Sequence, residues 1–385
     1  MNKKVSIILI HYNQPDYVKT ALDSIFEQTY KNIELIFADD CSNQIDVEDL
    51  KKYCKENNKN KIDIIWQINN ENIGTVKNIN KAVKKISGDY ILIFAADDRL
   101  YDENVIEKFV KSFSTAADDI ALIFGQCHMM DKELEKLNYK FIDTSRGFQF
   151  NLLSSFEQYK ILCQECFVAM GACMFKSDVL KKIGLFDENY KYIEDWLFFI
   201  RLTNNGYKLM YNNIDALLHR DGGISHSNQV INQSESFLGY KKDLVFIFID
   251  YVLPDFKKFC YKEKCNIYDL FIKFKNHYES DGFVVPKKYI FKLFLNNYRF
   301  FIHRKLSFIN TYFRKSLSQL MKRIVYLANL FVFCIALNYF SDNIYNSYIR
   351  VLNTAILIFM VLFALKIAFN ILIKILYKAR IIKDR

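Results

Sequence analysis

Four short apolar runs, at residues 5–10, 33–38, 62–67 and 90–95, alternate with helical periodicity at 15–25 and 74–86. Runs rich in β-branched residues and leucine are what strands buried on both faces require. Their alternation with helices predicts an α/β chain built on a mostly parallel, doubly wound sheet. Such sheets bind ligands outside the carboxyl ends of their strands, so the polar residues after each run should converge on one cleft. Here these are His11, Tyr12 and Asn13 after the first run, Asp39 and Asp40 after the second, and Asp97 and Asp98 after the last. No GxGxxG run follows the first strand, which argues against a dinucleotide-binding domain.

The chain has 385 residues, more than one compact body usually holds, so a main globular domain with an appendage is expected. Only three prolines and eleven glycines are present, too few for long flexible linkers. The net charge of +10 is concentrated at residues 287–323, where ten Lys or Arg stand among aromatic and aliphatic residues with no Asp or Glu. That mixture suits anionic lipid headgroups, and no nucleic-acid motif accompanies it. Apolar segments follow at 324–340 and 351–373, with Lys322 and Arg323 before them and Lys374, Lys378 and Arg380 after. At 1.5 Å per residue they reach roughly 25 and 34 Å, so a membrane hairpin with both ends cytoplasmic is expected. Helices lying in the interface are the alternative.

The nine cysteines fall in irregular places and read as free thiols of a reducing compartment. Cys163 and Cys166 make a single CxxC without a second pair, a pattern more often structural than metal-binding. The apolar run at 5–10 is too short for a signal-peptide core.

Three acidic pairs carry the candidate chemistry. Asp97 and Asp98 leave a buried strand directly, aiming hard oxygens where Mg²⁺ or Mn²⁺ would bridge to phosphate. Paired aspartates are also common as solvated turn residues, but Asp39 and Asp40 repeat the arrangement one strand over. Two carboxylates side by side in a cleft repel unless a cation is shared. Glu194 and Asp195 open the amphipathic run WLFFIRL, implying a helix N-terminus where a carboxylate stays ionised and can accept a proton. A helix-capping pair is the plainer reading.

The ordered strings VSIILIHYNQPDYVKTALDSIFEQTY (5–30), ELIFADDCS (34–42), NNENIGTVKNINKA (69–82), GDYILIFAADD (88–98) and GACMFKSDVLKKIGLFDENYKYIEDWLFFIRL (171–202) make residues 3–230 resemble glycosyltransferase family 2, of the GT-A fold. The resemblance implies inverting transfer from a nucleotide-sugar, a UDP-sugar first of all. The acceptor it suggests is a hydroxyl of a polyprenyl-diphosphate-linked or other glycan in cell-surface polysaccharide biosynthesis. It places Tyr12, Asp39, Asp40 and Asp97 on the donor, Asp97 and Asp98 on Mn²⁺ or Mg²⁺ with His219 as a further ligand or, equally, a structural histidine, and Asp195 as catalytic base beside Glu194. The run 219–223 looks like the segment that closes over the diphosphate. Many relatives carry Asp two residues before Asp97, where Ala95 stands here, so metal binding must lean on Asp97 and Asp98. A non-catalytic nucleotide-sugar-binding scaffold is the rival reading. A processive polymerase is disfavoured because no QxxRW-like motif is found.

The expected organisation is a cytoplasmic catalytic domain at 1–240, a basic aromatic segment at 241–323 on the membrane surface, a membrane hairpin at 324–378 and a basic tail at 379–385. The expected location is the cell inner membrane.

Overall fold

A computed structural model describes residues 3–43, 45–221, 235–297 and 299–304. The chain divides into a compact unit at Met1–Leu293 and a second at Phe294–Arg385. The first contains all the strands among the described residues, and its early part follows the alternation closely. Strand β1 (Val5–His11) leads to helix α1 (Val18–Phe26), β2 (Ile33–Asp39) to α2 (Val47–Asn57), β3 (Asp63–Ile68) to α3 (Thr75–Val83), and β4 (Tyr90–Ala95) completes the set. These four strands lie parallel in the order β3-β2-β1-β4. Val5, Ile7, Leu9, Leu35, Phe37 and Leu92 are buried on one face with Leu22 and Ile25 of α1, which explains why these runs lack strict alternation.

Beyond β4 the pattern changes. Strand β5 (Arg99–Leu100) and α4 (Val105–Thr115) precede the long β6 (Ile120–Met130) and the short β7 (Leu137–Lys140). Helices α5 (Thr144–Asn151) and α6 (Ser155–Leu162) lead to β8 (Cys173–Lys176), α7 (Asp178–Ile183), α8 (Asp195–Asn204) and β9 (Lys208–His219). Strand β8 runs antiparallel to both β4 and β6, β5 is antiparallel to β9, and β6 with β9 forms the one further parallel pair. The nine-stranded sheet is therefore mixed, not mostly parallel as expected. The reason is local: β8 has only four residues and enters from the carboxyl edge after a 3₁₀ turn at Met170–Ala172, so it pairs without a crossover helix.

Three further helices, α9 (Glu235–Ile247), α10 (Tyr261–Glu279) and α11 (Lys287–Asn296), follow the sheet, with α9 running across residue 240. No helix among the described residues is long and apolar enough to cross a membrane. The hairpin expected at 324–340 and 351–373 lies outside the described residues, as does the basic tail.

The amino edge of the sheet is tied by one acidic group. Glu34 on β2 accepts from Lys4 Nζ (2.6 Å), Ser6 Oγ (2.5 Å) and the backbone and hydroxyl of Ser87. Burial opposes its charge, but these donors prevail and bring its pKa to about 2. Gly88 completes this knot, because a Cβ there would come within 2.7 Å of the Ser6 nitrogen. The chemistry sits at the opposite edge.

Candidate active site

At the carboxyl edge, register alignment places His11 beside Asp39 and Asp39 beside Ile68, while Ile10 stands beside Ala95. The order reverses between β1 and β4, and loops diverge there to leave a crevice. The loops after β1 and β2 are stitched together. Asn13 donates its backbone N–H to Ser42 Oγ (2.9 Å), and its side-chain oxygen accepts from Asn43 N (2.9 Å). Both loops hold a residue in the left-handed region, Asn13 at φ 52° and Cys41 at φ 64°, a strained conformation that the cross-bonds maintain.

Asp39 and Asp40 are both buried, and their side chains serve different partners. Asp39 takes His11 Nδ1 (2.7 Å), Ser42 Oγ (2.5 Å) and Ser42 N (3.0 Å). Burial works against its charge, yet His11 and Ser42 hold its carboxyl below the usual range. Asp40 accepts from Asn69 Nδ2 (3.0 Å), Ile73 N (2.9 Å) and Gly74 N (2.8 Å), fixing the loop that enters α3. The expectation of a repelling pair in need of a shared cation is thereby corrected: donors from the end of β1 and from the loops after β2 and β3 already satisfy both carboxylates. Tyr12, next along the chain from His11, stands 45 % exposed.

Asp97 and Asp98 behave as a different kind of pair. Asp98 is buried and accepts from His219 Nδ1 (2.9 Å) on one oxygen and from Arg220 N (3.0 Å) on the other, so the end of β9 is clasped to the end of β4. Burial opposes charge on His219, but Asp98 outweighs it and raises the imidazole pKa. Its Nδ1 is thus committed to Asp98 and not to an open coordination position. Asp97 is pushed up to about 6, first by burial and then by the charge of Asp98, with His219 and Gln14 pulling the other way.

Among the described residues no three His, Cys, Asp or Glu side chains gather closely enough to enclose a metal ion by themselves. The pair nevertheless fits a site in which one or two carboxylates hold a divalent ion and substrate phosphates with water complete its shell. Asp97 is the carboxylate whose charged form a cation would restore.

Arg220, only 7 % exposed, donates Nε to the Asp97 carbonyl (2.9 Å) and lays its guanidinium on the Tyr17 ring at 3.9 Å. It forms no ion pair among the described residues. A buried guanidinium without a carboxylate is costly unless an anion arrives, and it matches phosphate oxygens in planar, bidentate fashion. The sequence marked the run containing Arg220 but did not single out this residue or its Tyr17 support, since 203 positions separate the two.

Glu194 stands at the N-cap of α8 and Asp195 is its first residue, with Asp195 Oδ1 accepting from Trp196 N (2.6 Å). Trp196 anchors the helix by donating its indole N–H to the Leu162 carbonyl (2.6 Å). Burial raises both carboxyl pKa values, and the charge of Asp195 adds to the effect on Glu194, so the helix start does not offset burial as the sequence led us to expect. Asp195 lies within electrostatic reach of Cys166 and Cys173, Cys173 of Cys127, and Cys127 of Asp98. These thiols are pushed up by burial, and all eight cysteines among the described residues are free. A cleft of about 240 Å³ is lined by residues including Gly74, Lys77, Glu188 and Lys191.

A crevice of acidic side chains at the switch point of a mixed α/β sheet, with a second carboxylate pair at a helix start, defines a GT-A-like glycosyltransferase. Residues 6–184 match the profile of Glycosyl transferase family 2. An uncharacterised glycosyltransferase of Rickettsia typhi is 28 % identical over 237 residues, covering 60 % of this chain and 69 % of the relative. Another, from Methanocaldococcus jannaschii, is 29 % identical over 211 residues, covering 53 % and 66 %. The matches thus span about two thirds of these relatives. In fold, the chain is similar to the mannosyltransferase PcManGT from Pyrobaculum calidifontis, solved with GDP-Man and Mn²⁺, at TM-score 0.50 and 14 % identity over 76 % of this chain and 79 % of that one. Asp195, His219 and Arg220 all fall beyond the family-matched span.

Proposed function

We propose that this glycosyltransferase moves a sugar from a nucleotide-sugar, a UDP-sugar first of all, to a hydroxyl of a lipid-linked glycan with inversion, in the building of a cell-surface polysaccharide. The observation that carries the reading is the clasp of Asp98 by His219 and Arg220 beside Asp97 at the carboxyl end of β4. Tyr12 flanks the base, and Asp40 shapes its pocket by holding the loop at residues 69–74. The Arg220 guanidinium meets the diphosphate. Asp97 and Asp98 would hold Mn²⁺ or Mg²⁺, which supplies positive charge to the departing diphosphate. Asp195 takes the acceptor proton as the new oxygen–carbon bond forms and the anomeric bond to phosphate breaks, its electron pair leaving with the nucleoside diphosphate. Attack from the face opposite the leaving group inverts the anomeric carbon.

A panel of UDP- and GDP-sugars incubated with the purified protein and Mn²⁺ tests this. One donor is expected to be hydrolysed slowly to sugar and nucleoside diphosphate, and chelation by EDTA is expected to stop it. Hydrolysis of none, or full activity in EDTA, would remove the metal-assisted reading.

We place the chain at the cell inner membrane with its catalytic unit cytoplasmic, on the basic stretch at 287–323 and the apolar segments after it. A polyprenyl-diphosphate acceptor would then lie at the height of the site. Alkaline carbonate extraction of membranes should leave the full chain in the pellet, and its release to the supernatant would rule out a spanning hairpin.

A further inference from the structure

Helix α9 follows the last strand and lies outside the family-matched span, yet it grips the segment that leads into Glu194 and Asp195. One oxygen of Asp243 accepts the backbone N–H groups of both Lys191 (2.7 Å) and Tyr192 (2.8 Å). Gly239, one turn earlier, lies so close to the Tyr192 ring that a Cβ would come within 2.1 Å of it. Further along, Tyr190 donates to Asp250 (2.8 Å), Tyr251 donates to Asp187, and Trp196 meets the edge of Phe248 at 5.8 Å.

Asp243 is buried and forms no ion pair among the described residues. Burying a carboxylate is costly, and two backbone N–H bonds are what offset the cost here. Those two peptides stand three and four residues before Asp195. A carboxylate that must meet one acceptor hydroxyl depends on the path of that main chain.

We propose that Asp243 is a positioning residue for transfer: by fixing the Lys191 and Tyr192 peptides it sets the direction in which the Asp195 carboxylate faces the acceptor. This rests on the reading of Asp195 as the base. It also makes α9 part of the catalytic unit and not the start of an appendage.

The test uses the full-length protein, Mn²⁺ and whichever nucleotide-sugar the wild type hydrolyses. Asp243→Ala is expected to lower kcat about 100-fold with donor KM within about twofold, the size expected when a reacting group is misplaced by about 1 Å. Asp243→Asn keeps a carbonyl oxygen for both N–H groups and should recover kcat to within about fivefold of wild type, because geometry and not charge is what acts. Gly239→Ala, which pushes α9 from Tyr192, should show the same split and carries the test alone if Asp243→Ala fails to fold. Unchanged kcat in the two alanine variants overturns the proposal. So does a joint loss of kcat and donor binding, or an asparagine variant as inactive as the alanine. Full activity of Asp195→Asn would instead remove the reading on which the proposal rests.

Discussion

Replacing Asp195 with asparagine is expected to slow glycosyl transfer by about 1,000-fold while donor affinity stays within about twofold, the range over which a positioned general base contributes. The substitution keeps size and the ability to accept from Trp196 N, so α8 should retain its start. What it removes is the site that takes the acceptor proton. Donor binding measured by thermal shift with Mn²⁺ separates the two effects, since bound donor stabilises the fold according to its occupancy. Transfer within tenfold of wild type would show that another group takes the proton. Glu194 is the neighbour to examine in that case, because it shares the helix start with Asp195.

The second large effect is expected at Arg220. Arg220→Ala should reduce kcat/KM by about 100- to 1,000-fold, the scale for losing one preorganised electrostatic partner of a developing anion. Lysine should not restore it. A lysine has neither the planar fork that takes two phosphate oxygens nor the flat face that lies on Tyr17 at 3.9 Å. The backbone bond from residue 220 to Asp98 survives either change, so the clasp between β4 and β9 is expected to persist. Binding of free nucleoside diphosphate and of the plain nucleoside, compared by calorimetry, locates the loss: it should appear with the diphosphate only. An equal loss for both would assign Arg220 to the base pocket or to the fold.

The first half of the molecule was legible from its sequence because strands buried on both faces leave continuous apolar runs, as in residues 5–10 and 90–95. The second half was not. Gln126 and His128 interrupt β6, Asn212, Asn213 and Asp215 interrupt β9, and β8 is too short to show a period. No pattern along the chain reveals that β8 slots in backwards between β4 and β6.

The acidic pairs were visible by position, yet their states were not. Asp39 and Asp97 each precede a second aspartate at the end of a buried strand, but one is lowered by His11 and Ser42 and the other raised by burial and Asp98. The difference comes from loops that converge only in three dimensions. Asp243 gave no signal, being an ordinary acid within a helix 48 residues beyond the carboxylate it serves.

The Glu34 knot lies at the end of the sheet away from all of these groups. Because the strands are anchored there, loops at the far end can exchange residues without loosening the anchorage. A descendant that altered the exposed Tyr12 or Lys77 to accept another sugar would leave that anchorage in place, so new specificities can be tried without touching it.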